Sequence, residues 1–180
     1  MGVDMAKITI SGHPGSGTSS LVQKLMEHYG WDSVNGGQIF RDEAKARNLS
    51  LQEFGELCKD DEMIDRQLDE RLKEIISEDV VEIVESRLSG WWAFKLEENC
   101  IRLWLDVSDE ERANRVVNRE GISFEQALSE NSERAKIDSQ RYMRMYGLDP
   151  EQKQPYTHVL DATHIGIDEV FKLTLEILEG

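Results

Sequence analysis

The sequence predicts an α/β fold, a parallel β-sheet of about five strands covered by helices, and three observations predict it. Short apolar runs rich in β-branched residues alternate with helix-patterned stretches. A glycine-rich loop joins the first such run to the first helix. No low-complexity linker or internal repeat interrupts the alternation. At 180 residues the chain is long enough for one compact core and too short for two ordinary ones, so a single domain over residues 1–180 is expected.

The elements follow in order. Ile8-Thr9-Ile10 is a short apolar strand, and beyond the loop Leu21, Val22, Leu25 and Tyr29 recur at helical spacing, with Gly30 where a helix ends. Trp31 to Val34 is the second strand. Gly36-Gly37 then lets the chain turn into Ile39-Phe40-Arg41 and a polar helix ending near Asn48. Ser50-x-x-Glu53 is a capping box for a helix through Leu57, and Ile64, Leu68, Leu72, Ile75 and Ile76 give Glu62 to Ile76 an apolar helical stripe. Val80 to Val84 and Ile101 to Val107 read as core strands. Ser108-x-x-Glu111 and Ser123-x-x-Gln126 cap two further helices, the second of them long. Thr157 to Leu160 is the last strand, before a helix from Ile167 to Leu178. Trp91-Trp92 either packs a helix into the core or lines a pocket.

The loop carries the chemistry. Gly12-His13-Pro14-Gly15-Ser16-Gly17-Thr18-Ser19 lies between a strand and a helix, the setting in which backbone N–H groups and a helix N-terminus cradle polyphosphate, as in the P-loop NTPase three-layer fold. The usual G-x-x-x-x-G-K-[ST] pattern has lysine where this chain has Thr18, so the cation must come from elsewhere, while Ser19 keeps the hydroxyl that holds Mg²⁺. Arginine suits that duty, because its planar fork binds phosphate through two donors and stays charged. Arg41, Arg87, Arg112, Arg115, Arg119, Arg134 and Arg141 lie near strand ends or in the helices that follow. Taken singly, each is equally well explained as a solvated helix face. Two groupings go further. Glu85-Ser86-Arg87 ends a strand and points a carboxylate suited to water-mediated Mg²⁺ binding and a phosphate-binding arginine into one crevice. Arg134, Asp138 and Arg141, four and then three apart, share a helix face, as a functional set or as a salt-bridge ladder.

A net charge of −15 argues against a nucleic-acid surface, although a local arginine cluster can still hold an anion. Cys58 and Cys100 belong to no metal or redox spacing and are expected as reduced, buried thiols. The histidines His13, His28, His158 and His164 are scattered, which fits surface or packing roles better than catalysis. No apolar run approaches the ~20 residues that cross a bilayer, and Met1 to Lys7 lacks the pattern of a signal peptide, so a cytoplasmic monomer without membrane or nucleic-acid partners is expected.

Together, the stretch from Ile8 to Ser19, Asn35-Gly36-Gly37 leading to Phe40-Arg41, Glu85-Ser86-Arg87, and Arg134-x-x-x-Asp138-x-x-Arg141-Tyr142 resemble the cytidylate kinases, especially the archaeal type. So do Leu49 to Leu57, similar to that family's S-L-E-E-F segment, and Tyr146-Gly147-Leu148-Asp149, similar to its Y-G-I-D. The match runs almost end to end. In that branch the loop often reads G-S-G-T, which makes Thr18 a family trait. The resemblance implies a nucleoside monophosphate kinase that moves the γ-phosphoryl of ATP, with Mg²⁺, onto CMP or dCMP in pyrimidine metabolism. It also implies a helical acceptor-binding insert over about residues 36–78 and a lid over about 112–135.

By the same resemblance Arg41 and Arg87 hold the acceptor phosphate, and Asn35 to Gly37 border its pocket. Arg115 and Arg119 belong to the lid. Arg134, Asp138 and Arg141 serve the acceptor side, the aspartate by bonding the cytosine amino group or by fixing the two arginines, and Arg87, Arg115, Arg119 and Arg134 are the implied catalytic cations. The chain departs from the family at Ser86, usually glycine, at Asn35, more often serine or alanine, and at Thr157, commonly aspartate. Two further readings remain open: a kinase of another small acceptor on the same scaffold, and a nucleotide sensor or scaffold that has lost turnover with its lysine.

Overall fold

Ile8–Gly12 (β1), buried along its whole length, is the middle strand of a five-stranded sheet in a computed structural model that describes residues 7–78 and 80–180. Most of the N-terminal stretch read for a leader, residues 1–6, lies outside the described residues. Ser33–Asn35 (β2), Ile83–Glu85 (β3), Ile101–Asp106 (β4) and His158–Asp161 (β5) complete the sheet in the order β2-β3-β1-β4-β5, every pairing parallel. Chain direction across the sheet reverses beside β1, so the carboxyl ends of β1, β2 and β3 open a crevice where such folds bind ligands.

Alternate β1 side chains face opposite helical layers. Ile8 and Ile10 pack with Leu21 and Leu25 of Thr18–Tyr29 (α1) and Val170 of Ile167–Glu179 (α8). On the other side Leu72 and Ile76 of Glu62–Ser77 (α4), Trp91 and Trp92 of Ser89–Lys95 (α5), and Tyr142 of Phe124–Tyr146 (α7) form a second core. Gly36–Ala46 (α2) and Leu51–Asp60 (α3) join α4 in a helical unit with its own small core around Phe54. Asp109–Glu120 (α6) packs against the start of α7 through Ala113, Val116 and Ala127.

The caps expected at Ser50, Ser108 and Ser123 form. Ser50 makes a full capping box with Glu53, and the hydroxyls of Ser108 and Ser123 accept from the backbone N–H groups of Glu111 and Gln126.

Three local expectations need correction. Val80 is exposed, and the third strand begins only at Ile83, because pairing with Ile8 and Thr9 fixes the register while valine content does not. Trp31 stays outside the second strand and stacks its ring on Tyr29 at 4.2 Å. Gly36 and Gly37 form the first turn of α2, not a preceding bend, because the Asn35 side chain accepts from Gln38 N–H and starts the helix there. The short helix α5 carries Trp91 and Trp92, as the first of the two readings of that pair expects. Both are buried, and Trp91 donates its indole N–H to the Asp149 carbonyl, so the pair packs the core.

Candidate active site

The loop after β1 curls because Gly15 and Gly17 take φ of +84° and +89°, values that side-chain-bearing residues rarely adopt. Gly17 is the N-cap of α1, which leaves the N–H groups at its start facing the crevice. Two arginines of α6 brace the loop from behind. Arg112, almost wholly buried, donates to the carbonyls of Val107 and Pro14 at 3.3 Å each, and Arg115 donates to those of Ser16 and Ala162 at 3.1 and 2.8 Å. Arg115, expected among the lid cations, therefore stands beneath the loop. His13 packs edge-on against Trp104 and bonds Glu151 at 2.6 Å, the packing role expected of the scattered histidines.

Thr18 does not stand in for a phosphate-binding lysine. Its hydroxyl donates to Glu85 Oε1 at 2.7 Å, Ser19 donates to the same oxygen at 2.9 Å, and Asn35 Nδ2 reaches Oε2 at 2.6 Å. Three donors thus fix a carboxylate that is 7 % exposed at the mouth of the loop. A serine hydroxyl and a carboxylate side by side at this place fit a hydrated Mg²⁺ that also takes phosphate oxygens.

Positive charge comes from several helices. Arg87 lies just past β3, with Nη1 3.5 Å from the Gly12 carbonyl and Nε donating to Asp138 Oδ2 at 2.9 Å. Arg141 approaches the other Asp138 oxygen at 3.9 Å and Asp65 at 3.5 Å, and donates to the Tyr142 hydroxyl at 3.0 Å. Asp138 is thereby engaged by both arginines. Burial alone lowers the Arg141 pKa, but Tyr142, Asp65 and Asp138 outweigh it and the net shift is upward. Burial drives the Tyr142 phenol up to about 12.

A cavity of about 610 Å³ joins these groups, running from the glycine loop past Arg41, Arg87, Arg119, Arg134 and Arg141 to Leu68 and Leu72 of α4. All the expected site residues line it except Ser16, Gly17 and Arg115. Those three face a second cavity of about 570 Å³ on the other side of the loop, closed by Thr163 to Ile167 after β5. Two residues of the larger cavity escaped sequence reasoning, Asp65 and Asp69 of α4. Burial raises both, Asp69 to about 6, and Asp69 accepts from the Tyr146 hydroxyl at 2.5 Å. The available signal was two aspartates four residues apart, each next to the apolar stripe of the helix.

Comparison with known proteins agrees with this geometry. Residues 7–164 match the model of the cytidylate kinase-like family. The chain belongs to that family. Curated relatives include a cytidylate kinase of Thermococcus kodakarensis, 40 % identical over 92 % of this chain and 84 % of the relative. One of Methanopyrus kandleri is 38 % identical over 92 % and 89 %, and one of Methanoregula boonei 36 % over 96 % and 94 %. Among solved structures, a shikimate kinase from Bacteroides thetaiotaomicron aligns with a TM-score of 0.60 at 12 % identity, covering 98 % of this chain and 99 % of its own. A gluconokinase from Sinorhizobium meliloti aligns at 0.60 and 18 %, covering 98 % and 93 %. These structural neighbours establish the fold of this cytidylate kinase-like chain, that of the P-loop kinases.

Proposed function

We propose that the protein is a cytidylate kinase that transfers the γ-phosphoryl group of ATP to CMP or dCMP, giving ADP and the cytidine diphosphate. The observation that carries this reading is one continuous cavity in which a polyphosphate loop and the guanidinium groups of Arg41, Arg87 and Arg141 face each other. The phosphates of the donor sit on the loop N–H groups, and its nucleoside sits in the second cavity beside Ser16, Gly17 and Arg115. Mg²⁺, held through Ser19 and by way of water through Glu85, supplies charge neutralisation on the donor phosphates when bound.

An acceptor phosphate oxygen attacks the γ-phosphorus in line as the bond to the β-phosphate oxygen breaks and ADP leaves. Because that oxygen is already anionic, no side chain has to remove a proton. The protein's share is positioning and charge stabilisation. Arg87 stands between the loop and the acceptor-side arginines, where charge spreads over the moving group, and Arg119 and Arg134 approach from α6 and α7 as the lid. Residues 36–78 form the acceptor insert, and the moving lid centres on the α6–α7 turn.

We further propose a monomer, and a reducing, cytoplasmic setting that the two buried free cysteines support. Among the described residues no helix is long and apolar enough to cross a membrane. The test is turnover with ATP, Mg²⁺ and a panel of monophosphates. CDP formation is the expected result, and ATP binding without transfer to any acceptor refutes the proposal in favour of a sensor.

A further inference from the structure

The larger cavity has two chemically distinct ends. At the loop end lie the backbone N–H groups and Arg87. At the other end α4 presents Leu68 and Leu72 with Asp65 and Asp69 one helical turn apart, and Phe40 of α2 adds an aromatic wall. A nucleotide with its phosphate at the first end lays its base on the apolar wall, with its ring edge toward α4.

The three carboxylates that border the cavity on the α4 and α7 side are not equally free. Asp138 is committed to Arg87 and Arg141. Asp65, 8 % exposed, turns toward Arg141 at 3.5 Å. Asp69 is only partly buried, and the Tyr146 hydroxyl holds its Oδ2, which fixes the side chain while no described group bonds Oδ1.

Resting on the assignment of this cavity to the acceptor, we infer that Asp69 selects the acceptor base by accepting a hydrogen bond from an exocyclic ring amino group. A carboxylate oxygen rewards an N–H at that position and repels a carbonyl oxygen, so an aminopyrimidine is accepted and its keto counterpart rejected. Asp65 acts through Arg141 and is a positioning residue. Asp138 holds the arginines and has no part in reading the base.

Asp69→Asn tests this directly, because its amide oxygen can still accept from Tyr146 while an N–H₂ group replaces the free oxygen. The ratio of kcat/KM for CMP over UMP is expected to fall about 10- to 100-fold, the range for a hydrogen bond to a charged group. Asp65→Asn is expected to lower both acceptors alike and leave the ratio within about twofold. Calorimetric binding of CMP and UMP reads the same discrimination without turnover. Protein that transfers nothing yet loses its preference for CMP in Asp69→Asn supports the inference while refuting the kinase assignment. An unchanged CMP-to-UMP ratio in a folded Asp69→Asn protein, in binding and in turnover, overturns it, as does a ratio that collapses equally in Asp65→Asn.

Discussion

Replacing Asp138 by asparagine separates its two conceivable roles, holding arginines or reading the base. Its Oδ2 accepts from Arg87 Nε at 2.9 Å, and the two side chains are 23 % and 28 % exposed. A hydrogen bond to a charged group is worth about 1.5–3 kcal/mol, and partial solvent access moves this pair toward the lower bound. With ~1.5 kcal/mol lost from the positioning of Arg87, kcat/KM should fall about tenfold. The loss should be the same for CMP, dCMP and UMP, because a guanidinium aimed at phosphate does not sense the base. ATP affinity should stay within about twofold, since the loop N–H groups are untouched. In an Arg87→Ala background the asparagine should cost almost nothing more, giving a coupling energy of ~1 kcal/mol or above. Steady-state kinetics on the four proteins with three acceptors measures all of this. A tenfold loss confined to CMP and dCMP, with UMP unaffected, refutes the reasoning and makes Asp138 the base reader.

Other perturbations reach the parts around the site. Burial disfavours the charge of Asp69 and pushes its pKa up to about 6 in the folded protein, whereas in the unfolded chain it has the ordinary aspartate value of 3.8. The native state therefore keeps a proton that the unfolded state has released, so stability falls as pH rises from about 4 through 6, by on the order of 3 kcal/mol from this group. Urea unfolding across that window should show the slope in wild type and a flatter one in Asp69→Asn. Thr18→Val removes one of three donors to the buried Glu85 carboxylate. It should cost about 1–3 kcal/mol in denaturant stability, with Thr18→Ser restoring most of it and metal-free ATP binding little changed. An alanine at Gly90 would place its Cβ 2.5 Å from the Tyr156 ring, which is itself held by a 2.7 Å bond to the Pro150 carbonyl. Such overpacking costs about 1–3 kcal/mol, or ~3–10 °C in Tm, and a melting curve that does not shift would mean the ring moves freely.

What could be read from sequence was whatever depends on neighbours along the chain. The Ser50, Ser108 and Ser123 caps form because the donors they accept from are only three residues away. The glycine loop is legible because its positive φ angles demand glycine at positions 15 and 17. The third strand was displaced because backbone pairing with β1, more than 70 residues earlier, decides which of Val80 to Glu85 joins the sheet. Within the site, Thr18, Glu85 and Arg87 were visible as types, but the Thr18–Glu85 bond links residues 67 apart and converts an absent lysine into a carboxylate clamp. Asp69 was invisible for a similar reason: an acidic residue on a polar helix looks solvated until Tyr146, 77 residues away, closes over it.

In the proposed mechanism arginines, Arg87 above all, supply the charge that the loop lacks. Titration with a bisubstrate analogue, adenosine and cytidine joined by five phosphates, into wild type and Arg87→Ala measures that charge where both substrates meet. Wild type should bind it far more tightly than ATP or CMP alone, and Arg87→Ala should lose about 10- to 100-fold of that affinity while binding ATP almost normally. Equal affinity of the two proteins for the analogue would contradict the account.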